Sequence, residues 1–175
     1  ELFMSKLTGA MKMIDYSHHE IHGGGAYTLS QRSAVNAFDI AAPMSFSIVT
    51  PNTTRWAHMV ISGECNTPAF WELFEDNGVA ANFDVAGGVI VNSINRNRNS
   101  ANASGLLVTT APVITQATVA ALIASEAIAK SSSGGERHEF MLRQNTQYLV
   151  RATSYADNNE GSLSLNWYEH TDKSY

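Results

Sequence analysis

Apolar and polar side chains alternate near the end of the chain, where single serine or asparagine residues separate Leu163, Leu165 and Trp167. Successive side chains of a β-strand point to opposite faces, so this period of two indicates a strand with one buried face. A second run of β-forming residues, 140–154, precedes it, and the polar turn 157–161 lies between the two. The C-terminal segment is therefore predicted to form two antiparallel strands joined by that turn.

Short apolar runs bounded by turn residues recur along the rest of the chain. Three clear examples are 45–50, which Pro51 ends, 56–62, which Gly63 follows, and 69–75. Proline cannot donate a hydrogen bond to a β-ladder, and glycine favours turns. Eight or more short strands, with turns about every ten residues, indicate an all-β fold. We predict an antiparallel β-sandwich that is jelly-roll-like.

The length of 175 residues suits one domain with a sizeable core. Residues 1–13 are predicted to be a short N-terminal arm, either a helical turn or a segment crossing to a neighbour, and residues 14–175 the sandwich. Residues 17–22 are predicted to form a strand that turns at the glycines 23–25. Helix and strand stay equally open for 118–130, because its alanines favour a helix while the surrounding segments favour strands.

Charged residues make up only 15% of the chain, against about a quarter in typical domains. Ser, Thr and Asn supply the remaining polarity, and a surface of hydroxyls and amides is easier to desolvate than one of Lys and Glu. Such a surface suits a protein docked over much of its area. The net charge of −5 argues against a nucleic-acid ligand, and no apolar run is long enough to span a membrane.

The segment 18–22 holds three histidines and a glutamate and is the obvious candidate metal site. On the predicted strand, His18, Glu20 and His22 would share a face, but His18 and His22 would lie about 13 Å apart. That distance is too long for one Zn²⁺ with bonds of about 2.1 Å. A site would need a further ligand from His58, His138 or His170. We expect no metal and no cofactor, and predict that His18, Glu20 and His22 contact a partner.

No catalytic motif is evident. Glu72 with Glu75, and Glu136 with Glu139, have the spacing of carboxylates on solvated strands, which favours a structural interpretation over a glycosidase pair. Cys65 is the single cysteine, so no internal disulfide is possible, and no base lies in a partner motif that would activate it. We therefore predict a non-enzymatic protein with no catalytic residues.

Arg96 and Arg98 lie two residues apart in an asparagine-rich loop. Two arginines are too few to bind nucleic acid, but their guanidinium groups suit bidentate contacts to carboxylates of a partner protein. A solvated loop is an equal alternative. The tryptophans all fall within strand patterns, which favours packing in the core or in an interface over stacking on sugars. They are Trp56, Trp71 and Trp167.

Several motifs together resemble a group of tailed-bacteriophage and prophage virion proteins encoded among head genes. These motifs are 15–22 with 50–58, then 95–100, and finally 144–148 with 166–171. They are structural rather than catalytic motifs.

The resemblance extends over residues 14–173, apart from the alanine-rich run 120–129, which does not fit the pattern. It implies a decoration (cement) protein on the capsid surface of the virion, bound to the major capsid protein. Self-association as a trimer is also predicted, because copies at three-fold positions of the lattice would bind with greater avidity. Nucleic acid and membrane are not among the implied partners. The alternative is a tail or fibre module that binds a carbohydrate or receptor, and a metal-dependent jelly-roll enzyme is third. Lattice contacts are predicted for 18–22, 95–99 and the N-terminal arm.

Overall fold

The computed structural model describes residues 2–4, 11–13, 16–128 and 139–171. Within these ranges the chain forms a short helix and fifteen strands. The elements are β1 (Leu2–Met4), β2 (Met11–Met13), α1 (Tyr16–Gly23), β3 (Ala26–Arg32), β4 (Met44–Val49), β5 (Arg55–Cys65), β6 (Ala69–Glu75), β7 (Phe83–Ala86), β8 (Val89–Val91), β9 (Ile94–Asn95), β10 (Leu107–Thr110), β11 (Val113–Ala117), β12 (Leu122–Ile128), β13 (Glu139–Leu142), β14 (Gln147–Ser154) and β15 (Gly161–Thr171).

Two sheets packed face to face make the body of the protein. The six-stranded sheet has the order β12-β6-β14-β4-β10-β8, and the five-stranded sheet has the order β13-β5-β15-β3-β9. Two further two-stranded sheets pair β1 with β2 and β7 with β11. All pairings between the described strands are antiparallel. The predicted all-β antiparallel sandwich is confirmed.

The two C-terminal strands do not pair with each other, so the prediction of a hairpin there is wrong. β14 lies between β4 and β6 in one sheet, while β15 lies between β5 and β3 in the other. The run 140–154 is also interrupted at 143–146, where Asn145 adopts a φ of 49°. Alternation reveals which side chains are buried but not which strand is the neighbour. The connection 155–160 is long enough to cross the roughly 10 Å between packed sheets.

The main core fills the space between the two sheets. Leu163, Leu165 and Trp167 point inward from β15 and are at most 2% exposed, as the alternation predicted. Phe46 and Ile48 meet them from β4 and are fully buried. Each such side chain stabilises the fold by about 1.5–3 kcal/mol relative to an exposed one. The last strand of the chain is therefore central to the sandwich.

A second, smaller core covers the outer face of the six-stranded sheet. Phe74 and Leu149 project outward from β6 and β14, and Phe83, Val85 and Ala121 pack on them. The β7–β11 pair thus forms a third layer over part of this sheet. One face of β14 is buried by the main core and the other by this layer.

Helix α1 replaces the strand predicted over 17–22. The main-chain NH of Gly24 donates to the carbonyl of Ile21 at 3.1 Å, and that of Gly25 donates to Glu20 at 2.9 Å. This bond pair, with a φ of 73° at Gly24, is a Schellman motif that ends the helix. Glycine adopts this conformation without a steric penalty. The prediction that glycines 23–25 form a turn between two strands is therefore wrong, because they form the C-terminal cap of a helix.

The segment 118–130, for which helix and strand were equally open, contains strand β12. The NH of Ala121 donates to the carbonyl of Thr118, which closes a turn, and the chain then pairs with β6. Ile128 is 5% exposed and joins the main core. Pairing with β6 and burial outweigh the helix propensity of the alanines. Residues 129–130 lie outside the described residues.

The predicted N-terminal arm contains β1 and β2, which pair with Leu2 opposite Met13. The helical-turn alternative is wrong for these two triplets. Residues 5–10 of the arm lie outside the described residues. Contact of the arm with a neighbouring molecule stays a prediction.

Candidate functional site

Helix α1 brings His18 and His22 together. Their Nε2 atoms are 3.0 Å apart and their ring centroids 4.6 Å apart. Residues four apart on a helix share a face, whereas the predicted strand placed these histidines about 13 Å apart. The predicted separation of about 13 Å, which would exclude a shared metal ion, is therefore wrong. Both residues are exposed.

Glu20 does not share this face. Its side chain is only 14% exposed, and a Cβ added at Gly25 would lie 2.8 Å from its Oε2 atom. Its Oε1 atom lies 3.7 Å from Nδ1 of His19. Of the three residues predicted to form one polar face, only His18 and His22 do so. Glu20 turns toward the cap of the helix instead.

Side-chain amides attach the Asn loop, residues 95–105, to the end of α1. Asn95 donates to the carbonyl oxygens of Gly24 and Asn102, both at 3.0 Å. Asn97 donates to the carbonyl of His22 at 3.0 Å. The last carbonyls of a helix have no partner within the helix, so these amides satisfy them. The structure therefore joins the two segments predicted to contact a partner.

Arg96 and Arg98 are both exposed on the Asn loop. The Arg98 guanidinium donates to the carbonyl of Asn95 at 3.5 Å. Within the described part of the chain, neither guanidinium forms an ion pair with a carboxylate. Both positive charges are therefore available to a partner, next to the histidine face of α1.

A buried carboxylate holds the far end of the Asn loop. Glu169 is 5% exposed and accepts hydrogen bonds from the Ser104 hydroxyl at 2.5 Å and the Gly105 NH at 2.9 Å. The indole NH of Trp167 donates to it at 3.0 Å. These donors replace the hydration that a carboxylate loses on burial. Glu169 is thus a structural anchor of the loop, and sequence reasoning did not single it out.

A histidine cluster lies on the outer face of the five-stranded sheet. It consists of His58 on β5, His170 and Tyr168 on β15, and Glu139 on β13. The Nε2 atoms of His58 and His170 are 2.8 Å apart, and Nδ1 of His58 lies 2.7 Å from Oε1 of Glu139. The Tyr168 hydroxyl donates to the same Glu139 oxygen, and its ring stacks on His58 with centroids 4.7 Å apart.

An open groove of about 570 Å³ lies beside this cluster. Trp56, which pairs across the strands with His170, is half-buried and forms part of its wall. Trp71 and Trp167 are at most 3% exposed, which confirms the predicted packing in the core for these two residues. Trp56 is not part of the core. The groove is lined by Asn52, Thr53, Thr54, Trp56, Gln144 and Thr171.

These features share one end of the sandwich, which we call the loop end: α1, the Asn loop, loop 50–55 and turn 143–146. The Asn145 NH donates to the carbonyl of Pro51, which ties the last two together. The Glu169 NH donates to the carbonyl of Gly25, which ties the end of β15 to α1. Residues distant in sequence therefore present one surface.

An apolar face continues from the loop end along the six-stranded sheet. It is formed by Val49, Ile90 and Leu107, which are 38%, 66% and 46% exposed. Leu107 lies opposite Val49, and Ile90 lies opposite Thr109, which is two positions after Leu107 and therefore on the same face of the sheet. Arg96 and Arg98 are the only charged residues between Asp84 and Glu126. The sheet edge formed by this part of the chain is therefore almost free of charge.

Of the four carboxylates considered as catalytic pairs, Glu72, Glu75 and Glu139 have hydrogen-bond partners in the fold, and Glu136 lies outside the described residues. Glu72 accepts two hydrogen bonds from Arg151 at 2.7 and 3.0 Å. Glu75 accepts one from the Tyr148 hydroxyl at 2.8 Å and lies 3.2 Å from Arg143. Burial and the bond to Glu75 raise the pKa of Tyr148 well above its usual range.

Cys65 ends β5 and is buried. Burial raises the pKa of its thiol. A thiol held in its protonated form is a poor nucleophile.

No protein-family model, curated protein or solved structure gives a significant match to this chain. The described residues include no group of three or more His, Cys, Asp or Glu side chains arranged to hold a metal ion. They also include no helix long and apolar enough to cross a membrane.

Proposed function

We propose that this protein is a non-enzymatic structural protein of a tailed-bacteriophage virion. It decorates and stabilises the capsid by binding the lattice of the major capsid protein at the capsid surface. The observation that carries the proposal is the exposed apolar face (Val49, Ile90, Leu107), which belongs to an almost uncharged part of the chain. The motif resemblance to virion proteins supplies the kind of partner.

The apolar face suits docking because its desolvation costs little. Interface cores are depleted in charged residues, and large contiguous exposed apolar patches mark interaction sites. A capsid holds packaged DNA under pressure, so a cement protein must bridge capsomers through contacts spread over a wide area. A broad face meets that need better than one deep pocket.

The neighbouring Asn loop supplies charged anchors. Arg96 and Arg98 are exposed and form no ion pair with a carboxylate of the described residues, and arginine is enriched among residues that dominate binding energies. His18 and His22 lie beside them on α1, joined through the Asn97 amide. In the proposed complex these residues meet carboxylates of the capsid protein at the rim of the apolar face.

Self-association as a trimer completes the proposal. Three linked copies on a three-fold position of the lattice would bind with an avidity above that of one copy. Light scattering of the purified protein should give three times the 19.0 kDa chain mass. A mass equal to one chain at all concentrations would remove the trimer from the proposal.

Co-sedimentation with heads of the phage or prophage that encodes the chain tests the docking. Wild-type protein should sediment with heads, and the variant Ile90→Lys/Leu107→Lys should stay in solution while keeping its thermal stability. Val35→Lys is the matched control, because Val35 is 71% exposed and lies outside the apolar face. Equal sedimentation of all three proteins would contradict docking through this face.

A second candidate function is carbohydrate binding by a tail or fibre module. The half-buried Trp56 in a groove with amide and hydroxyl side chains favours it, because sugars stack on aromatic rings and bond to such groups. A glycan array with hits that Trp56→Ala abolishes, from a protein absent from tail-less heads, would establish this function instead. Trp71→Ala is unsuitable as a control, since Trp71 is buried in the core. Gln31→Ala, on a strand away from the groove, serves instead.

A further inference from the structure

The two rings of the histidine cluster each have one nitrogen committed to an oxygen. Nδ1 of His58 lies 2.7 Å from a Glu139 oxygen, and Nδ1 of His170 lies 3.0 Å from the main-chain carbonyl oxygen of Thr171. An ionised carboxylate and a carbonyl only accept hydrogen bonds, so each Nδ1 must carry the hydrogen. A ring rotated by 180° would lose its bond.

A neutral imidazole carries a single NH, so the Nε2 atoms of both rings present lone pairs. These two atoms face each other at 2.8 Å. Two lone pairs at this distance repel, and a cation placed between them would remove the repulsion. The helical pair His18 and His22 differs, because within the described residues no Nδ1 bond fixes either ring. One of those rings is free to donate to the other.

We propose that His58 and His170 bind one divalent late transition metal ion through their Nε2 atoms. Metal-binding histidines donate their other NH to a carboxylate or a backbone carbonyl, which orients the ring and raises its basicity. Glu139 and the Thr171 carbonyl occupy these two roles. The Tyr168 hydroxyl holds Glu139 in place, and the Tyr168 ring supports His58 by stacking.

The separation of the two nitrogens indicates the class of metal. With bonds of about 2.0–2.1 Å, a 2.8 Å separation corresponds to an angle at the metal of about 85–90°. That is the angle between neighbouring ligands in square or octahedral coordination. A tetrahedral zinc site would need the nitrogens about 3.4 Å apart. The geometry therefore favours Ni²⁺ or Cu²⁺ over tetrahedral Zn²⁺.

Among the described residues the site has two protein ligands, so several coordination positions stay open. This agrees with the finding that no group of three ionisable ligands is assembled in the described residues. His58 is 19% exposed on the outer face of the sheet, so an ion can reach it from solvent. This proposal replaces the prediction that the protein binds no metal. The bound ion would link β5 to β15 at the loop end.

Calorimetric titration with NiCl₂ tests the site, using tag-free protein that carries His18→Gln and His22→Gln so that the helical pair cannot contribute. We expect one Ni²⁺ per chain. His58→Gln and His170→Gln should each abolish this binding, and Glu139→Gln should weaken it about 10–100-fold, as loss of a ring-orienting partner does. Met141→Gln is the matched control, because Met141 lies opposite His58 and is 61% exposed.

Nickel binding that is unchanged in His58→Gln and His170→Gln, or absent at millimolar NiCl₂, would overturn the proposal. Thermal melts in EDTA establish that each variant folds. A crystal of the wild-type protein soaked in NiCl₂ gives an independent measurement. We expect one anomalous peak within bonding distance of both Nε2 atoms, and no peak at this position would also overturn the proposal.

Discussion

The side-chain amide of Asn97 donates a hydrogen bond to the main-chain carbonyl of His22 across 3.0 Å. The two residues are 75 positions apart in the sequence. The same Asn97 side chain accepts a bond from the Asn99 NH at 3.1 Å. One residue therefore shapes the Asn loop and fixes it to the end of α1. His22 and the loop arginines thus belong to one continuous surface.

Replacing Asn97 with alanine should lower the free energy of unfolding by about 1 kcal/mol, since it removes the bond to α1 and one bond within the loop. Urea unfolding followed by circular dichroism measures the change. Asn99→Ala is the matched control, because Asn99 is an exposed asparagine of the same loop. Equal stability of the two variants would show that the Asn97 bond contributes nothing to folding.

Glu169→Ala should destabilise the protein by about 2–4 kcal/mol, because it leaves the Ser104 hydroxyl, Gly105 NH and Trp167 NH without their buried acceptor. Glu64→Ala, at an exposed position of β5, should change stability by less than about 0.5 kcal/mol. Denaturant midpoints compare the two. A loss of similar size in both variants would contradict the anchoring role of Glu169.

Tyr148→Phe tests the raised pKa of the Tyr148 phenol. At neutral pH the variant should be less stable by about 1–3 kcal/mol, because the Glu75 and Arg143 groups lose their partner. Above about pH 10 an unfolded tyrosine ionises while the folded Tyr148 stays protonated. The stabilisation from its raised pKa is then lost as pH rises, at up to about 1.4 kcal/mol per pH unit.

The stability gap between wild type and Tyr148→Phe should therefore narrow above about pH 10. Urea unfolding at a series of pH values measures it. Tyr155→Phe controls for loss of a hydroxyl at an exposed ring, since Tyr155 is 61% exposed. A gap that keeps its size across this range would contradict the assignment.

Arg96→Ala/Arg98→Ala should reduce occupancy on purified heads without lowering stability by more than about 0.5 kcal/mol, because both side chains are exposed. In the proposed complex, this variant lacks the two cations that would meet carboxylates of the capsid protein. Quantitative gel analysis of washed heads measures the occupancy. Arg32→Ala is the control, as Arg32 is exposed on β3 and has only a 3.9 Å contact to Glu160. Unchanged occupancy would remove the Asn loop from the interface.

The strands were largely predictable because their signals are local. Alternation at Leu163, Leu165 and Trp167 gave the buried face of β15 correctly. The partner of β15 was not predictable, because pairing in a sandwich depends on connections that cross between sheets. The short helix α1 was not predicted, because residues 17–22 were interpreted as a strand that turns at the following glycines. The C-terminal cap at Gly24 was the signal that could have found it.

The candidate sites were predictable only in part. The segments carrying His22 and Arg98 were both proposed, but nothing in the sequence predicted that they touch. His58 and His170 were named only as possible additions to a site on 18–22. Their cluster joins residues 112 positions apart, and Glu139 is 81 from His58. The register of β13, β5 and β15 brings Glu139, His58 and His170 together. No local pattern in the sequence predicts that register.

An electron-microscopy map of the intact virion tests the central claim most directly. We expect density for this chain on the outer surface of the head, with Ile90 and Leu107 in contact with the major capsid protein and Arg96 at the rim of the contact. Density found only on the tail, or a head-bound chain whose apolar face points into solvent, would contradict the account.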